Sequence, residues 1–92
     1  MIITHNIQYD GNVHIIKILQ PKGILVTMRI MLPGQYDFGV VGAGSKQKIT
    51  VIYGQMRIND SVYFTGQTCI LESGNPILVV TMEPCGYKCI YE

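Results

Sequence analysis

Charge is scarce in this chain. Asp, Glu, Lys and Arg make up 14% of its 92 residues, against 48% hydrophobic residues. That ratio is extreme for a small monomer, which must cover itself with polar groups. A single domain spanning residues 1–92 buries only a modest fraction of its surface. The surplus apolar surface is therefore expected in a subunit interface, and a homodimer or larger assembly is predicted. The few charges also fail to cluster. Net charge is +1, and the seven Lys and Arg form no group denser than Lys46 and Lys48. Nothing here makes an electrostatic case for nucleic acid or a membrane surface.

Other absences narrow the field further. No stretch approaches the roughly 18 apolar residues of a spanning helix. The start, Met-Ile-Ile-Thr-His-Asn, lacks the basic residues and long apolar run of a signal peptide, so a cytoplasmic protein is expected. Histidine occurs only at His5 and His14, each read as a surface or edge residue. No Ser stands in a Gly-x-Ser-x-Gly elbow, so nucleophilic catalysis finds little support. Cys69, Cys85 and Cys89 are odd in number and lack CxxC spacing. They read as buried thiols acting as small hydrophobes. No window of about 11 residues shows a 3.6-residue period.

What is present is strand and turn in regular succession. Residues 1–12 contain polar turn material ending in Asp10-Gly-Asn12, a strong turn signal. Val13 to Leu19 is a strand with apolar residues on both sides, and Gln20-Pro-Lys-Gly23 a turn. In the run Ile24 to Leu32, Val26, Met28 and Ile30 share one face while Thr27, Arg29 and Met31 share the other. Tyr36 and Phe38 point together on a short strand. A loop follows from Gly39 to Lys48, whose glycines 39, 42 and 44 offer backbone N–H groups to a phosphate, or else form a lid or connector. Ile49-Thr-Val-Ile-Tyr-Gly54 followed by Gln55-Met-Arg-Ile58 reads as a hairpin around Gly54. Further strands are expected over 62–64, 68–71, 77–82 and 86–91. Around the last, strand spacing puts Cys85 and Cys89 on one face together with Tyr87 and Tyr91. Turn spacing this regular points to an all-β sandwich or barrel, and the pattern suggests a double-wound jelly roll.

Arg29 and Arg57 interrupt otherwise apolar strands. Each either faces solvent or contacts an anion, since the guanidinium fork matches phosphate. Tyr36, Tyr53 and Tyr87 either pack in the core, stack on a base or close the barrel mouth. Asn75 either closes a local Asx turn or offers a ligand both donor and acceptor.

Five segments then resemble one family. Tyr9-Asp-Gly-Asn-Val13 is similar to "Y-F-x-G-x-V". Met31-Leu-Pro-Gly-Gln-Tyr-Asp-Phe38 is similar to "M-x-x-G-E-Y-x-F", and Ile49-Thr-Val-Ile-Tyr-Gly54 to "M-x-V-x-x-G". Thr65-Gly-Gln-Thr-Cys-Ile-Leu71 resembles "A-G-x-x-F-x-V", and Gly86-Tyr-Lys-Cys-Ile-Tyr91 the terminus "Y-L-C-x-Y". These are segments of the small bacterial pyrimidine/purine nucleoside phosphorylases, and they cover essentially the whole chain in order.

The resemblance implies a cupin-like double-stranded β-helix, or jelly-roll barrel, forming a homodimer. It also implies phosphorolysis of purine or pyrimidine nucleosides to free base and pentose 1-phosphate. Inorganic phosphate would be co-substrate and no other cofactor is expected. A metal-binding cupin needs two His and a Glu around the hairpin plus a later His; the hairpin holds none, so no metal is expected. Arg29, Arg57, Asn75, Tyr36, Tyr53 and Tyr87 are candidate ligand contacts. Lys48 joins them because it stands where the family usually has an acid, which favours a more negative ligand. Asn75 stands where the family commonly has serine. A different class of function stays open: a non-catalytic module on this fold that binds or sequesters a nucleotide or other small anion. A third option is an interaction protein with a filled barrel.

Overall fold

Alternation of apolar and polar side chains makes a strand with one buried face, and several strands of this chain follow it. In a computed structural model that describes residues 2–21 and 25–92, every regular element is a β-strand. They are β1 (Ile2–Gln8), β2 (Val13–Leu19), β3 (Leu25–Met31), β4 (Gly34–Val40), β5 (Gln47–Tyr53), β6 (Gln55–Ile58), β7 (Ser61–Phe64), β8 (Thr68–Leu71), β9 (Pro76–Thr81) and β10 (Cys85–Tyr91). Two antiparallel sheets result, in the orders β1-β2-β3-β10-β5-β8 and β4-β9-β6-β7. Their inner faces enclose one core. Val13, Met31, Ile49, Val51 and Tyr87 come from the first sheet, Tyr36, Met56, Ile58 and Val79 from the second. This is the jelly-roll barrel that the turn spacing predicts. The expected turn over 20–23 and the strand start at Ile24 fall partly outside the described residues, at Lys22, Gly23 and Ile24. Among the described residues, no helix is long and apolar enough to cross a membrane.

The N-terminal segment departs from the sequence reading. Residues 2–8, for which no separate strand is expected, form an edge strand paired along its whole length with β2 from Ile2↔Leu19 to Gln8↔Val13. All seven residues are exposed. With no buried face there is no alternation to read, so backbone pairing alone makes it a strand. Only the following turn was legible, where Tyr9, Asp10 and Gly11 all take positive φ and the Asn12 amide donates to the Tyr9 carbonyl at 3.0 Å.

The stretch 49–58 also departs, because it is not a hairpin. β5 pairs with β10 and β8, whereas β6 pairs with β7 and β9 in the other sheet. Gly54 is the corner where the chain crosses between sheets. Its φ is +77, and a Cβ there would lie 2.7 Å from the Cys85 Cβ and 2.8 Å from the Pro84 carbonyl oxygen. The glycine signal marks a reversal and a close approach, but it does not say whether the chain returns to its own sheet. The real hairpin joins β6 to β7, with Asn59 at φ 53. Its Oδ1 accepts the Leu78 amide at 3.1 Å.

The glycine loop is shorter than expected and already occupied. β4 runs to Val40 and β5 starts at Gln47. The Val41 amide donates to the Asn75 carbonyl at 2.9 Å, and the Ser45 amide to the Gly42 carbonyl at 3.1 Å. The Gly44 amide donates to Ser73 Oγ at 3.2 Å, which donates onward to the Gly42 carbonyl at 3.0 Å. These bonds pin the loop to the turn before β9. Amides with acceptors in place do not form a phosphate nest.

Replacing Gly54 isolates the corner's steric demand. Gly54→Ala adds overlap with backbone to left-handed strain and is expected to lose about 3 kcal/mol. Gly66→Ala, at φ +88 with nothing within 4 Å of the added Cβ, carries the strain alone and should lose about 1 kcal/mol. Urea unfolding of both variants measures the difference.

Candidate functional site

β3 and β10 are neighbours, with Arg29 opposite Tyr87 and Thr27 opposite Cys89. The alternation that sets Cys85, Tyr87, Cys89 and Tyr91 on one face turns that face inward. Tyr87 and Cys89 are fully buried, as is Thr27 on the facing strand. The result is a polar seam inside an apolar barrel. Arg29 Nη1 donates to Tyr87 Oη at 2.7 Å, and Thr27 Oγ1 donates to Tyr91 Oη at 3.2 Å. Cys89 Sγ donates to Gln47 Oε1 at 3.3 Å. Nearer the corner, Cys85 Sγ donates to Thr81 Oγ1 at 3.1 Å.

Arg29 is the cation of this seam. Its Cζ lies 4.2 Å from the centroid of the Phe38 ring and 5.9 Å from that of Tyr87. Attraction to an aromatic face is worth about 0.5–2 kcal/mol, which does not replace the hydration of a charge. No carboxylate balances it. Among the described residues the one ion pair is Lys46 with Glu72, at 3.9 Å. Arg29 Nε is buried and has no hydrogen-bond partner. A partly buried cation with an unanswered N–H is a favourable place for an anion.

Aromatic rings extend the seam. Tyr36 and Phe38 stack at 6.0 Å between centroids. The β1–β2 turn brings Tyr9 edge-on to both, at 5.1 and 5.8 Å, and the Tyr9 hydroxyl donates to the Asp37 carbonyl at 2.5 Å. Phe38 lies in a bulge, where the β4–β9 register shifts between Asp37 and Val40. Tyr36 Oη donates to the Leu32 carbonyl at 2.6 Å. Burial is the main reason its hydroxyl is held above its usual pKa, with Cys85 adding a smaller push.

The seven sequence candidates do not meet in one place. Arg29 and Tyr87 are in direct contact, and Tyr36 joins them through Phe38. Arg57 sits on the outer face of the second sheet, lining a groove of about 380 Å³ with Val62, Val80 and Met82. Tyr53 is the last residue of β5 and lies over Gly86, where a Cβ would come within 2.7 Å of its ring. Lys48 is exposed and paired with Ile70 and Ile90. Asn75 is exposed, and its Oδ1 accepts the Glu72 amide at 2.8 Å, which closes its own turn. Sequence reasoning missed Phe38 as a neighbour of the arginine and Tyr9 as a neighbour of the Phe38 ring. Phe38 was legible as sharing a face with Tyr36, but nothing local placed that face opposite Arg29. Among the described residues no group of three or more His, Cys, Asp and Glu is placed to hold a metal ion.

The thiols and phenol of the seam stay protonated. Burial is the largest cause of the rise in the Cys89 thiol, from 9.0 to about 11, with Arg29 pulling weakly the other way. Burial likewise lifts Tyr87 well above its usual value and raises Cys85. Above pH 9 the unfolded chain gives up the Cys89 proton while the folded chain keeps it. The unfolded state then binds fewer protons, so stability falls as pH rises between 9 and 11. A loss of about 1 kcal/mol per pH unit is expected from that proton. Urea unfolding at successive alkaline pH values measures the slope, and Cys89→Ala should flatten it.

Comparison with known proteins agrees with the barrel. The family model described as "Pyrimidine/purine nucleoside phosphorylase" matches residues 3–91. A protein of that name from Vibrio cholerae is 34% identical over 86 residues, covering 88% of this chain and 86% of that one. A protein of unknown function from Vibrio parahaemolyticus has a similar solved structure, with a TM-score of 0.82 at 24% identity over 98% of each chain. A sugar phosphate isomerase of the cupin superfamily from Silicibacter pomeroyi matches with a TM-score of 0.77 at 14% identity. That match covers 97% of this chain and 70% of the other, and likeness at this identity speaks for the fold alone. With its sequence matched almost end to end, the chain belongs to the pyrimidine/purine nucleoside phosphorylase family.

Proposed function

We propose that the protein cleaves purine or pyrimidine nucleosides with inorganic phosphate, releasing free base and pentose 1-phosphate. The observation that carries this reading is the Arg29 guanidinium, inside the barrel with no carboxylate against it and its Nε unpartnered. A phosphate oxygen forms the new bond to the anomeric carbon. The glycosidic C–N bond breaks, its electron pair leaves with the base, and the base takes up a proton. Arg29 holds the phosphate. The Tyr87 and Tyr91 hydroxyls are hydrogen-bonding groups for sugar or phosphate oxygens, and Tyr9, Tyr36 and Phe38 form the wall for the base. Positioning and charge stabilisation carry such a reaction, with no covalent enzyme intermediate.

A second reading is binding of a nucleotide or other small anion without turnover. One observation favours it. Burial keeps Tyr87 and Cys89 protonated, and among the described residues no carboxylate or imidazole bonds to Arg29 or Tyr87. A proton donor for the departing base is therefore not evident in the seam. The assembly we propose in either reading is a homodimer. Exposed Ile3, Ile30 and Ile70 on one sheet and Val62, Phe64 and Leu78 on the other supply apolar surface for it. Sedimentation should give twice the chain mass.

The activity test follows free base from uridine, adenosine, inosine and guanosine in the presence of phosphate. Release is expected, and Arg29→Ala should lower kcat/KM about 100-fold. No release from any of the four, with a phosphate-dependent rise in thermal midpoint, would leave the binding module. An Arg57→Ala variant that loses as much as Arg29→Ala would put the anion on the outer face instead.

A further inference from the structure

The two histidines were read from sequence as separate surface or edge residues, and no metal was expected. The β1–β2 register brings them together. Ile7 faces His14 and His5 faces Ile16, so the imidazoles are diagonal neighbours on the outer face of the first sheet. His5 Nε2 and His14 Nδ1 are 3.0 Å apart. The rings lie at 24° to each other, with centroids 5.1 Å apart.

We infer that this pair is a binding site for a late first-row divalent cation, Zn²⁺, Ni²⁺ or Cu²⁺, ligated by His5 Nε2 and His14 Nδ1. Two nitrogens about 2.0–2.1 Å from one metal, at angles between square and tetrahedral, are about 2.9–3.4 Å apart. The hairpin already holds its nitrogens within that span. Imidazole is a ligand that these cations favour.

The proton accounting is simple. In the metal-free hairpin one facing nitrogen donates to the other, and which one donates depends on the tautomer. On binding, the bridging proton moves to the far nitrogen of its own ring. Both facing lone pairs are then free, both rings stay neutral, and no proton need leave the protein.

Two ligands leave coordination positions for water or a small donor molecule. His14 also lines a depression of about 250 Å³ with Asn12, Ile30, Leu32, Tyr53 and Pro84. The open positions thus lie beside a pocket with apolar walls. Within the fold the cation ties β1 to β2. That strand is exposed along its whole length and paired with β2 alone, so a cross-link there reduces fraying.

The test uses tag-free protein titrated with Zn²⁺, followed by the imidazole NMR signals and the thermal midpoint. Wild type should bind and its midpoint should rise. His5→Gln and His14→Gln should each weaken binding by at least about fivefold, and the double variant should be no weaker than the singles, because one imidazole does not chelate. No change in wild type up to about 1 mM Zn²⁺ overturns the proposal, as does any smaller loss in the single variants. A measurement without substitutions guards against misfolded variants. Cu²⁺ should broaden amide signals around residues 3–7 and 12–16, and broadening centred elsewhere overturns the site.

Discussion

One contact organises the interior, the Arg29 guanidinium held between Tyr87 and Phe38. A charge inside an apolar barrel is expensive unless something answers it. Here the answer is partial. A phenol hydroxyl takes one N–H, an aromatic face takes the flat side of the cation, and Nε is left over. Beside it, burial keeps the Tyr87 phenol and the Cys89 thiol neutral. The barrel thus presents one positive group among neutral donors, an arrangement suited to a phosphate oxygen.

The framework around that contact is shaped by two close approaches. At Gly54 the chain crosses from one sheet to the other against Cys85 and Pro84, and at Gly86 it lets the Tyr53 ring lie on the backbone of β10. The first fixes which strands share a sheet, and so which residues face Arg29. The second settles Tyr53 at the end of β5, over the β10 backbone and away from the seam. The bulge in β4 does similar work for Phe38, whose ring meets the guanidinium where the pairing with β9 is interrupted.

Much of this was legible locally. Period-two alternation predicted which side chains of β3, β4 and β10 travel together, and each of those sets does share a face. Turn residues gave most of the boundaries. Edge strand β1 was not legible, because exposure on both sides removes the pattern that alternation relies on. The Gly54 corner was read as a hairpin, because a tight hairpin and a crossing to another sheet demand the same glycine conformation. The glycine loop looked open because sequence does not say that the amides of Val41 and Gly44 already have acceptors.

Sequence by itself determined the class of fold, the family and the scarcity of charge that makes one inward arginine matter. These depend on composition, alternation and short motifs, all properties of neighbouring residues. Tertiary structure alone decided that Arg29 lies inside while Arg57 lies outside, though both interrupt apolar strands in the same way. It also decided that His5 and His14 touch, and that Asn75 and Lys48 stand apart from the seam. The physical reason is the same in each case. Alternation says which residues share a face, but only the pairing of distant strands says which face turns inward and what it meets there.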